Sequence, residues 1–188
     1  FNHEKKINFS SNLIDVTNRI FFIYLSLTLF IFFIFSVSGI RLFDSLNLTM
    51  SVISSGGFLP ANSLNDIIRN NFQSILLCLA FLISIFNFYL LYNFILGRDN
   101  LKEHKEDIYI FVLAIAFIVI FYFINNLNVS SVFINVLSSI STSGISIGDV
   151  PENFGLYFII LTLIGGSVLS STSGLKFLRI YILIKAFF

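Results

Sequence analysis

The chain has 188 residues, 56% of them hydrophobic and only 11% charged, with a mean hydropathy of +0.92 and a formal net charge of +1. An average soluble domain carries about 25% charged residues, so this composition argues against one. Two prolines, ten glycines and one cysteine exclude collagen-like and disulfide-scaffold chains, and a near-neutral balance lacks the basic face of a nucleic-acid binder.

The solvent implied is a lipid bilayer, whose core of roughly 30 Å takes about 20 apolar residues of helix. Residues 1–19 are polar and lack the apolar stretch of a secretory signal. Ile20–Phe35 carries no charge and reads as the first span. Ile75–Leu96, also uncharged, reads as the second, and Ile108–Ile124 as the third. The final apolar stretch, Phe154–Phe188, would reach roughly 52 Å as one straight helix. It holds Gly165-Gly166-Ser167 and Ser170-Ser171-Thr172-Ser173-Gly174 near its middle and is expected to be a helix interrupted inside the membrane. The chain opens on Phe1 and closes on Phe187-Phe188 within that apolar stretch, as a piece of a longer gene product would.

Lys and Arg counts in short loops set orientation. Lys5, Lys6 and Arg19 precede the first span, and Arg98, Lys102 and Lys105 lie between the second and third. The connection after the first span has only Arg41 and Arg69, and residues 125–153 have none. The N-terminal segment 1–19 and the loop 97–107 are therefore expected on the cytoplasmic side, and the two long connections outside.

Those two connections resemble each other. Leu42 to Ile53 is followed by Ser54-Ser55-Gly56-Gly57-Phe58, and Ser130 to Ile140 by Ser141-Thr142-Ser143-Gly144-Ile145. A shift of 87 residues matches Ser51 to Ser138, Ile53 to Ile140, Ser54 to Ser141 and Gly57 to Gly144. It also places Asp44 on Ser131, both residue types that cap helix starts. An internal duplication follows: residues 20–96 and 108–188 would each be a span, a short apolar helix with a Ser/Thr-Gly turn, and a second span.

A helix of 10–12 residues is only about 15–18 Å long, so one entering from outside turns back before crossing. Irregular backbone at that depth is tolerated only if buried in protein or lining water. The carboxyl end of such a helix favours a cation, and turn carbonyls can replace a cation's hydration shell. Glycine suits the backbone angles this demands. The bland alternative is that Ser and Gly merely let helices pack closely. Two copies at matching positions favour the pore.

With these residues in view, the chain resembles the Trk/Ktr/HKT superfamily of potassium transporters. The stretch LFDSLNLTMSVISSGGF resembles the second repeat of the bacterial Trk-type membrane subunit, and SSISTSGIS its third filter segment. Ile164-Gly165-Gly166-Ser167 with Gly174-Leu175-Lys176 resembles the glycine-rich break in the third repeat. The resemblance implies an all-α membrane fold of two helix–pore-loop–helix repeats from a pseudo-fourfold, potassium-channel-like pore. Ser55, Gly56 and Gly57 with Thr142, Ser143 and Gly144 would line the potassium filter. The gate would be an intramembrane loop of Gly165, Gly166, Ser167, Ser170, Ser171, Thr172, Ser173, Gly174 and Lys176. Potassium is then the substrate, with no cofactor. A homodimer, a cytoplasmic nucleotide-binding regulatory subunit and a bacterial cytoplasmic (inner) membrane location are likewise implied. The chain departs from relatives at Val168, Leu169, Thr172 and Ser173, where they carry several glycines, so the loop is expected to be stiffer or gated differently. The first and fourth repeats are absent, and two filter segments alone should not conduct.

Other residues have plainer readings. Lys176, Arg179 and Lys185 either flank a cytoplasmic helix end or, for Lys176, set a positive charge against cation passage. Asn87 and Asn93 are expected to bond between helices, Cys78 to pack as a small apolar residue, and Asp44 to cap a helix. Asp44, Asp149 and Glu152 would also concentrate cations at the outer mouth. Gly144-Ile145-Ser146-Ile147-Gly148 spells a hydrolase elbow, but His3 and His104 are expected across the membrane from Ser146. Catalysis is therefore not expected. A non-conducting membrane scaffold is the remaining alternative.

Overall fold

The computed structural model describes residues 2–88, 90, 91, 105–125, 128–148 and 152–187. Among them every regular element is helical, so the fold is all-α as expected. The helices are α1 (Asn2–Val37), α2 (Leu42–Ile53), α3 (Leu64–Ile67), α4 (Asn71–Ile85), α5 (Lys105–Asn125), α6 (Val129–Ile140), α7 (Gly155–Ile164) and α8 (Phe177–Phe187), with a 3-10 turn at Glu152–Phe154.

Two stretches, Val16–Val37 of α1 and Lys105–Ile124 of α5, are long and apolar enough to cross a membrane. Helix α1 begins at Asn2 rather than near Ile20, because the polar leader contains neither Gly nor Pro to stop it. The apolar run from Ile75 to Leu96 is not one helix. Helix α4 ends at Ile85 and Phe86 turns extended (ψ 158°). The Asn87 carbonyl then accepts from the amides of Leu90 and Leu91, starting a new turn. Asn87 thus marks a break, its amide donating to the Asp107 carboxylate at 3.0 Å. Asn93 lies outside the described residues.

Helices α2 and α6 have 12 residues each, and their boundaries superpose under the same 87-residue shift. Each packs between the helices flanking it: α2 against α1 and α4, α6 against α5 and α7. Helix α6 also packs on α4, which joins the two halves. Their inward faces supply Leu48, Val52, Ile53, Ile134 and Ile140 to a core shared with Phe35, Leu77, Phe81 and Phe121, all fully buried. Outward faces stay apolar: Phe22, Phe33, Val112, Phe123, Leu156 and Ile184 are all more than half exposed. That inside-and-outside hydrophobicity is what lipid requires and water forbids.

Asp44 does not cap α2. The residue before the helix is Arg41, and Asp44 sits in the first turn, buried, with its Oδ2 accepting from Arg41 Nε at 2.8 Å. Likewise α6 starts after Asn128, three residues ahead of Ser131. Cys78 is half-buried along an apolar groove between α4, α5 and α6.

Candidate functional site

Where α2 and α6 end, the backbone passes through the same conformations twice. The amides of Ser54, Ser55 and Gly56 bond back to the carbonyls of Met50, Val52 and Ser51. Those of Ser141, Thr142 and Ser143 bond to Leu137, Ser139 and Ser138, the equivalent positions. Ser55 and Thr142 then adopt left-handed backbone (φ 54° and 60°), as do Gly57 and Gly144 (φ 71° and 69°). For a residue with a Cβ this conformation costs roughly 1–2 kcal/mol, and for β-branched Thr142 it is a true outlier. Helix hydrogen bonds on one side and the extended chain beyond hold it in place.

The alternation of handedness leaves a row of unused acceptors. Among the described residues, no group donates to the carbonyls of Ser55, Gly56, Gly57, Thr142, Ser143 or Gly144. The two turns meet: a Cβ on Gly57 would lie 2.1 Å from the Ser143 carbonyl oxygen. The six residues singled out in the sequence are therefore brought together as two abutting turns. Their side chains behave differently from one another. The Ser143 hydroxyl is buried against Ser138 and Ser141, with Oγ–Oγ distances of 3.1 and 3.0 Å. Thr142 Oγ1 donates to the Ser141 carbonyl at 2.6 Å. Beside the turns lies a cavity of about 310 Å³, lined by Gly57, Leu59, Ser63, Gly144 and Ser146 among others.

Beyond Gly144 the chain is held extended by a residue not singled out in the sequence. Asn135 of α6 accepts from the Ile147 amide (2.9 Å) and donates to the Ile147 carbonyl (3.2 Å). The equivalents in the first turn are Leu48 and Pro60. Pro60 has no amide to satisfy, so an apolar partner suffices there.

The long final stretch is interrupted as expected, between α7 and α8. Residues 165–176 fold into a compact loop. Gly165 and Gly174 have φ of 65° and 85°, and a Cβ on Gly165, Gly166 or Gly174 would come within 2.4, 2.6 or 2.7 Å of a backbone oxygen. Inside the loop, Gly166 donates to Thr172 Oγ1 (2.9 Å), and Ser170 Oγ lies 2.8 Å from the same hydroxyl. Lys176, itself at φ 69°, directs Nζ to Ser170 Oγ (3.2 Å), the Ser170 carbonyl (3.4 Å), Thr172 Oγ1 (3.1 Å) and the Thr172 carbonyl.

Several outside elements hold this loop, among them Phe88 beyond the end of α4, whose amide donates to the Leu169 carbonyl at 3.1 Å. Ser173 donates from both its amide and its hydroxyl to Thr142 Oγ1, each at 2.9 Å, linking the loop to the second turn. Ser167 and Ser171 donate to the carbonyls of Ile85 and Ser84 at the end of α4 (3.1 and 3.2 Å). Glu106 of α5 accepts from the Val168 amide (3.1 Å). Glu106 and the end of α4 went unnoticed in the sequence. No local pattern links residue 106 to residue 168.

Arg179 and Lys185 lie exposed along α8. Ser146 is exposed in extended chain, not at a strand-to-helix elbow. Asp149, His104 and the side chains of His3 and Glu152 lie outside the described residues.

No family model matches the chain. In sequence it is similar to an uncharacterized cation transporter of Methanocaldococcus jannaschii, 26% identical over 176 residues, 92% of this chain and 36% of that protein. In structure it is similar to the potassium transporter TrkH from Vibrio parahaemolyticus, with a TM-score of 0.78 and 23% identity over 91% of this chain and 40% of TrkH. The chain thus spans well under half the length of either. Both are transporters by name, not enzymes. Sequence and fold together support the resemblance to the Trk-type transporters of the Trk/Ktr/HKT superfamily that the Ser/Gly turns and the broken helix carry.

Proposed function

We propose that the chain forms two adjacent helix–pore-loop–helix repeats (20–96 and 108–188) of a four-repeat potassium uptake subunit. The carbonyls of Ser55–Gly57 and Thr142–Gly144 take the place of water around a dehydrated potassium ion, and the loop 165–176 controls passage. The supporting observation is the pairing of two equivalent turns whose six carbonyls receive no hydrogen bond from the described residues and whose backbones touch at Gly57 and Ser143. Such an array is electronegative without carrying charge, which suits a monovalent cation that must be bound and then released. Two turns make half a ring. The other half would come from the first and fourth repeats of the same gene product.

On this reading the protein lies in a bacterial cytoplasmic membrane with residues 1–19 and 97–107 on the cytoplasmic side. It assembles as a homodimer on a nucleotide-binding regulatory subunit. The test is the complete reading frame expressed in cells that lack potassium uptake. Growth on low potassium should be restored, and Gly144→Val should abolish it. Rescue by the Val variant at the wild-type level refutes the filter assignment.

A further inference from the structure

The loop 165–176 contains a set of oxygens with an unusual proton inventory. The Ser170 hydroxyl donates to the Ser167 carbonyl at 2.7 Å. The Thr172 hydroxyl is then the donor of its 2.8 Å bond to Ser170 Oγ. With both protons committed, Ser170 Oγ and Thr172 Oγ1 present only lone pairs to the space between them. The backbone carbonyls of residues 170 and 172 face the same space, and all four oxygens converge on one atom, Lys176 Nζ. No carboxylate is among these ligands. A group of four neutral oxygens around one ammonium resembles the environment that holds potassium: both are monovalent cations that carbonyl and hydroxyl dipoles can bind in place of water.

Lys176 is therefore more than a positive charge beside a path. We infer that the oxygens of Ser170 and Thr172 form a second monovalent-cation site, filled in this state by the chain's own ammonium and open to a permeating ion only when Lys176 withdraws. The left-handed backbone at Lys176 (φ 69°) folds its side chain back into the loop it terminates. Glu106 of α5, which accepts from the Val168 amide of the same loop, supplies a counter-charge for the ammonium once displaced. The loop thus closes by binding a tethered substitute for the ion it controls. This inference rests on the proposed transport reading and goes one site further along the path.

Thallium(I), a potassium substitute visible by anomalous scattering, separates the two ideas. Crystals of the full-length protein soaked in thallium(I) should show it at the Ser55–Gly57 and Thr142–Gly144 turns in wild type, with none at Ser170 and Thr172. In Lys176→Met a new peak should appear between Ser170 and Thr172, and adding Thr172→Val should remove it. Thallium influx into proteoliposomes should rise at least about tenfold in Lys176→Met, a lower bound, since a unit charge about 4 Å from the ion at the effective dielectric of a protein site accounts for more than that. Lys176→Gln serves if the Met variant does not fold. A peak at the turns without one in the loop of Lys176→Met, a loop peak already present in wild type, or an unchanged influx overturns the inference alone. Absence of thallium from the turns themselves overturns the transport reading with it.

Discussion

Replacing Gly57 by alanine probes the contact on which the site is built. The variant suffers twice. Its backbone must hold φ 71° with a Cβ attached, which costs roughly 1–2 kcal/mol. The new methyl would also lie 2.1 Å from the Ser143 carbonyl oxygen, where ordinary contact begins near 3.4 Å. Either turn must therefore retreat by about 1.3 Å, and overpacking of this kind adds about 1–3 kcal/mol. Gly148→Ala is the matched control: φ is 72°, yet nothing lies within 4 Å of its Cβ, so only the first penalty applies. Thermal unfolding of the full-length protein in detergent should place Gly57→Ala below wild type by about 2–5 kcal/mol, against about 1–2 for Gly148→Ala. Rubidium uptake should fail in Gly57→Ala and persist in Gly148→Ala. Equal stability of the two variants would show that the turns do not touch, and the paired-carbonyl argument would fall with that contact.

Other perturbations follow from named bonds. Asn135→Leu strands the Ile147 amide and carbonyl and should destabilise by about 2–3 kcal/mol. Leu48→Asn should not stabilise, since Pro60 offers no amide; denaturant midpoints for both variants check this. Thr142→Val removes the acceptor of two Ser173 bonds, so amide exchange at Ser173 should accelerate, and unchanged exchange would refute the link between loop and turn. Glu106→Ala should speed exchange at Val168, whereas Glu106→Gln, which keeps an acceptor oxygen, should not; identical rates in both would rule out Glu106 as an anchor.

What the sequence revealed and what it hid divide along physical lines. The turns after α2 and α6 were legible because backbone conformation there is set locally: Gly57 and Gly144, and Ser55 and Thr142, align at the same shift and share the same handedness. The broken helix was legible for the same reason, with glycines where backbone approaches backbone. Two capping boxes that had not been singled out, Ser63 with Asp66 and Asn70 with Gln73, open α3 and α4. The end of α4 was not legible. Ile75 to Leu96 holds no Gly, Pro or charge, and hydropathy reads it as one span. The helix stops because Ser167 and Ser171, some eighty residues later, take its last carbonyls. Glu106 was hidden likewise: a glutamate in the first turn of a helix looks like ordinary dipole compensation until its partner in another element is known.

The joint between α4 and the loop has a consequence for how the path can open. The Ser84 and Ile85 carbonyls have given up their own helix for bonds to Ser171 and Ser167. If the loop swings away, both oxygens lose those partners at a depth where lipid offers none, a penalty of several kcal/mol for each bare group. Water is the available replacement, so displacement of the loop must be accompanied by wetting of the joint. Transport would then be sensitive to osmotic stress: an impermeant polymer that draws water from the joint should slow uptake without altering the ion gradient. A rate indifferent to osmotic pressure would show that these bonds stay intact while ions pass.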